Sequence, residues 1–130
     1  MKLAVVAFGI TALAGCGVYD QPAVRASLMS YLPEAKCGDA VFSLQDDDRS
    51  IRGDGIVSLT TAAPDCVRSV REALKHRGSR NVYYAEGVGG WNIPGRDRLV
   101  GDHDVTFQGP HLNLFTFRRD GTMLWQEIIE

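Results

Sequence analysis

Apolar residues recur at helical spacing twice along this chain and at alternate positions in several shorter runs. Val24, Leu28, Tyr31 and Leu32 share one face of a helix over Gln21 to Leu32. Asp20 suits its N-cap, Pro22 is tolerated in its first turn, and Pro33 stops it. A second helix opens with Pro64 and Asp65, and Val67, Val70, Ala73 and Leu74 form its apolar stripe. Lys75, His76 and Arg77 suit its negative C-terminal end, and Gly78 is a natural residue just beyond it.

Period-two alternation marks the strands. Asp39 to Gln45 places Ala40, Phe42 and Leu44 on one face, and Ile56 to Thr60 follows after a polar connection running from Asp46 to Gly55. Asn81 to Glu86 reads as a third strand, and the glycine-rich stretch Gly87 to Gly95 interrupts the pattern. Arg98 to Val100 and Val105 to Phe107 are short strands, or one strand broken at Gly101-Asp102. The clearest hairpin joins His111–Arg118 to Thr122–Ile129 through Asp120-Gly121. The order α-β-β-α-β-β-β-β predicts an α+β fold: an antiparallel sheet of about five or six strands with two helices on one face.

One apolar run fits no element of that domain. Leu3 to Leu13 carries no charge and follows Met1-Lys2, and Ala14-Gly15-Cys16 closes it with small residues. These are the three parts of an export signal. As a helix the run spans about 16 Å, half of a ~30 Å hydrocarbon core, so it engages export machinery without staying as a span. Ala12-Leu13-Ala14 fits an ordinary A-x-A cleavage site. Leu13-Ala14-Gly15-Cys16, however, resembles the lipobox of bacterial lipoproteins at all its positions.

That resemblance covers residues 1–16. It implies a diacylglycerol on the Cys16 thiol, cleavage just before it, and acyl chains (palmitate among them) holding the protein to a membrane. It divides the chain into a signal peptide, 1–15, a lipid-anchored N-terminus, 16–19, and a single small α+β domain, 20–130. Gly17 stands where an Asp often signals inner-membrane retention in such proteins, so the resemblance favours an outer-membrane location facing the periplasm.

Cysteine parity bears on the same point. Cys16, Cys37 and Cys66 make an odd set, awkward in an oxidising compartment. Lipidating Cys16 leaves Cys37, just after the first helix, and Cys66, in the first turn of the second, as an expected disulfide. The alternative is two buried thiols packed as small hydrophobes.

Charge excludes more than it suggests. Loss of Lys2 takes the formal net charge from −2 to −3, and the basic residues are scattered, so no nucleic-acid partner is expected. Arg68, Arg71 and Lys75 line the outer face of the second helix, where Glu72 among them suits a solvated face. Asp46-Asp47-Asp48 with Asp54 lacks the glycine and the glutamate of a calcium loop and reads as a solvated hairpin loop.

Asp102-His103-Asp104 with His111 is the most chemical cluster, and His103 and His111 could converge across a hairpin centred on Gln108-Gly109-Pro110. Adjacent strand residues face opposite ways, which makes this a weak metal site. Trp91 in the glycine loop, with Tyr83 and Tyr84, is a candidate partner contact. No cofactor and no catalytic residue is expected. The chain therefore reads as an envelope lipoprotein whose small non-catalytic domain binds an envelope protein or a cell-wall ligand. The alternative is a small periplasmic metal-dependent or His/acid enzyme.

Overall fold

Gln21 to Tyr31 form helix α1 because Asp20 caps it and Pro22 sits where no intrahelical donor is required. The structure is a computed structural model and describes residues 20–49, 51–52, 55–81 and 104–129. The Asp20 carboxylate accepts from the Ala23 N–H at 3.5 Å. Leu32 leaves the helical conformation while its N–H still donates to the Leu28 carbonyl at 2.9 Å. Val24, Leu28 and Leu32 are fully buried. Helix α2, Pro64–His76, buries Cys66, Val70, Ala73 and Leu74. Gly78 ends it with φ +69, which lets the Ser79 N–H reach the Leu74 carbonyl at 3.0 Å.

Five strands form one antiparallel sheet: β1 (Ser43–Arg49), β2 (Gly55–Thr61), β3 (Val105–Gln108), β4 (Leu114–Phe117) and β5 (Met123–Ile129). Their spatial order is β1-β2-β5-β4-β3, so the fold is α+β as the alternation predicts. The β4–β5 hairpin turns at Gly121, φ +91, where Asp120 accepts from the Thr122 N–H at 3.0 Å. Of the remaining expected strands, Arg98–Val100 and residues 82–86 lie outside the described residues. Asn81 does pair with Phe107 as an antiparallel bridge beside β3.

One expectation about the polar segment is corrected. Asp46, Asp47 and Asp48 are not a hairpin loop but the middle of β1, facing Ser58, Val57 and Ile56. Aspartate disfavours strands on its own, and pairing with the apolar β2 overrides that preference. A register shift between Leu44 and Asp46 lets the strand bend there. Charges and a bulge are also how an edge strand is kept from pairing with other chains. Gly55, φ +148, is needed where β2 begins, since a Cβ there would collide with the Asp48 carbonyl oxygen and the Arg49 backbone.

The register builds the core row by row. Leu44, Leu59, Trp125, Phe115 and Phe107 lie side by side across all five strands. These residues pack with Val24, Leu28, Val70 and Leu74 of the helices. The opposite face is buried as well: Ile56, Ser58, Leu114, Thr116, Leu124, Gln126 and Ile128 are all below one-tenth exposed. There the polar side chains pair across strands, Thr106 with Thr116 at 2.7 Å and Gln126 to Ser58 at 3.2 Å.

Candidate functional site

Cys37 and Cys66 form a disulfide, S–S 2.07 Å, with both residues buried. The bridge ties the segment after α1 to the first turn of α2. Near it lies a shallow cleft of about 490 Å³, lined by Glu34, Lys36, Arg68, Ser69, Glu72 and His76 among others. A second, of about 320 Å³, shares Lys36 and Asp65 with the first and is bounded by Gly38, Asp39, Ala40, Ala63, Pro64 and Cys66. The Lys36 backbone N–H donates to the Ser69 hydroxyl at 2.7 Å, holding the walls together. Arg77 donates twice to Glu34, at 2.8 and 2.9 Å, and this fork holds the Glu34 carboxyl down at about 2. Arg68 pairs with Asp65. The cleft next to α2 therefore offers charges of both signs to whatever enters it.

The second cluster is internal. Trp125 is fully buried, stacked on Phe115 at 6.1 Å, and met edge-on by Phe42 at 5.9 Å and Tyr31 at 6.5 Å. Its indole N–H donates to the Asn113 side-chain oxygen at 3.0 Å, and the Asn113 amide donates to the Pro110 carbonyl at 2.8 Å. Tyr31 donates its hydroxyl hydrogen to Glu127 at 2.7 Å. Burial first, then the adjacent Glu127 carboxylate, pushes the Tyr31 hydroxyl up to about 12. Burial also raises the Glu127 carboxyl, against the lowering effects of the Tyr31 bond and the Arg49 charge. The other Glu127 oxygen is buried without a hydrogen-bond partner.

A raised carboxyl beside a phenol is proton-holding chemistry. Here, however, it joins α1 to β5, and Glu127 is only 7% exposed. We read it as a latch between helix and sheet. Sequence reasoning counted Tyr31 as helix-face apolar and passed over Glu127. The available signal was period two: Met123, Trp125, Glu127 and Ile129 share a strand face, and only one of them is an acid.

The predicted site residues fare differently. Among the metal candidates, His103 and Asp102 lie outside the described residues, as do Trp91, Tyr83 and Tyr84. Asp104 and His111 sit beyond opposite ends of β3, so this strand holds them apart by more than about 13 Å. His111 occupies a 3₁₀ turn, Pro110–Leu112, in a left-handed conformation with φ +57, and its ring lies 5.4 Å from that of Tyr31. Among the described residues no group of three His, Cys, Asp or Glu could hold a metal ion.

Arg71 departs from the expected outer stripe. Its guanidinium lies 5.3 Å above the Phe117 ring, and its Nε is buried without a partner. Arg68 and Lys75 are exposed as expected. Position 71 is on the flank of the buried stripe, where a long stem reaches the sheet. Cys16 precedes the described residues, within which no helix is long and apolar enough to cross a membrane. Compared with protein-family models, with curated proteins and with solved structures, the chain matches none of them.

Proposed function

We propose that this chain is a lipid-anchored protein of the bacterial cell envelope, held by acyl chains on Cys16, whose domain works as a binding module facing the periplasm. The carrying observation is the Cys37–Cys66 bridge. It uses both other cysteines of the chain, and such bridges persist in oxidising compartments. Cys16 is then the odd thiol, and it is the residue that completes Leu13-Ala14-Gly15-Cys16. Lipidation removes that thiol from redox chemistry and supplies the anchor, since two or more acyl chains hold stably where one does not.

Binding is favoured over turnover because the carboxyl that burial raises, Glu127, is locked to Tyr31 inside the domain, while open charged surface lies in the cleft beside the bridge. Lys36, Glu72 and His76 there suit a partner protein or cell-wall ligand carrying both charge signs. Gly17 favours the outer membrane.

Expression in a Gram-negative host tests the anchor. The intact mass should show an acylated chain beginning at Cys16, found in the membrane fraction. Cys16→Ser should appear as an unprocessed precursor or as released protein. A Cys16→Ser chain that is processed normally and stays on the membrane overturns the proposal.

A further inference from the structure

Val41 is one of two large apolar side chains that the described residues leave exposed, at 62%; the other is Ile51 at the tip of the β1–β2 hairpin. Its position is fixed from two sides. The Gln21 side chain donates to the Phe42 carbonyl at 2.9 Å and accepts from the Phe42 N–H at 2.8 Å, so residue 42 is clamped to the first turn of α1. Arg25 donates to the Ala40 carbonyl at 2.6 Å one turn later. Val41 therefore rides on the N-terminal end of α1, where Pro22 is exposed as well.

That end is also where the chain comes from Cys16. Five residue steps separate Cys16 from Gln21, and a fully extended chain covers at most about 18 Å over them. A lipid-bearing Cys16 lies at the headgroup level, so the N-terminal end of α1 stays within that reach of the bilayer surface. Ile51 lies beyond the far end of β1, about 20 Å along the strand. Asp46 and Asp48 lie between the two and oppose contact of that edge with an anionic surface. Near Val41, Arg25 stands against Asp20 and Asp39, a net charge of −1 and fewer acids than the Asp46-Asp47-Asp48 run of β1.

We propose that the domain docks on the lipid bilayer through this end, with Val41 set among the headgroups and the Ile51 tip pointing away from the membrane. This rests on acylation of Cys16. The leash keeps this end near the bilayer, and Val41 is the exposed large apolar side chain there that gains from leaving water. The docked pose leaves the charged cleft beside the bridge free for a second ligand.

The test uses the lipidated full chain in vesicles of phosphatidylethanolamine and phosphatidylglycerol, with a nitroxide on Val41→Cys, on Pro22→Cys or on Ile51→Cys. Intact mass first establishes the lipid on Cys16. Collision with lipid-soluble oxygen, relative to a water-soluble nickel chelate, should be raised several-fold at positions 41 and 22 over position 51. If the chain is acylated and position 41 is as water-accessible as position 51, docking fails while the anchor stands. A label at 51 that is the more lipid-accessible overturns it equally. A chain with no lipid on Cys16 removes both the anchor and the docking.

Discussion

Tyr31 of α1 donates its hydroxyl hydrogen to Glu127 of β5, 96 residues away, at 2.7 Å, a polar bond that joins the first helix to the last strand. It closes over the buried Trp125 ring and leaves one carboxylate oxygen without a partner. The bond decides which changes the latch tolerates.

Tyr31→Phe keeps the ring and removes the donor, leaving both Glu127 oxygens unpartnered in a buried place. A loss of about 1–3 kcal/mol in unfolding free energy is expected, measured by urea denaturation at neutral pH. Glu127→Gln keeps an acceptor for Tyr31 and removes the buried charge, so its loss should be smaller. A larger loss for Glu127→Gln than for Tyr31→Phe would contradict the latch.

Lowering and raising the pH from about 4.5 should act on different groups. The Glu127 carboxyl is raised in the folded state, so folding holds its proton more tightly than the unfolded chain does. Its contribution favours folding below the ordinary value of 4.5 and declines as pH rises through the higher folded value. Glu34 runs the other way: lowered to about 2 by Arg77, it supports folding above 4.5 and loses that support as pH falls towards 2. Glu127→Gln should therefore flatten the decline above about pH 4.5, and Glu34→Gln the one below it, in unfolding free energy measured against pH. Since Glu34 and Arg77 are more than a third exposed, the Glu34 effect should be small and weaken further in salt.

Breaking the bridge should cost more than any single hydrogen bond. Cys37 and Cys66 are 29 residues apart, for which chain entropy gives about 3–4 kcal/mol. Cys37→Ala with Cys66→Ala should lower the urea midpoint accordingly. Equal midpoints for the double variant and the parent would show that the bridge contributes no stability.

Two glycines separate crowding from conformation. Gly55→Ala meets the β1 backbone and a strained φ together, and should lose more than about 1 kcal/mol. Gly78→Ala meets open space at φ +69 and should lose about 1 kcal/mol, the left-handed penalty alone. Equal losses at the two positions would show that the close approach at Gly55 is relieved by movement of β1.

Local chemistry made much of this chain legible in its sequence. Asp20, Pro22 and Pro33 bound α1, and Pro64 and Gly78 bound α2, because caps and stops act within a few residues. Asp120-Gly121 marks the β4–β5 turn for the same reason. Cysteine parity pointed to Cys37 with Cys66, and the bridge is there. The expectation of membrane anchoring at Cys16 is local too, resting on four consecutive residues.

Tertiary structure alone decided what depends on distant partners. Asp46, Asp47 and Asp48 are a strand because β2 supplies a ladder that their own propensity does not. Arg71 lies on Phe117 because the sheet passes beneath the flank of α2. The order β1-β2-β5-β4-β3 sets Val57 beside Glu127, so an acid on an apolar strand face meets a tyrosine from the first helix. Periodicity assigns a residue to a face, but it does not say which face comes to lie against it.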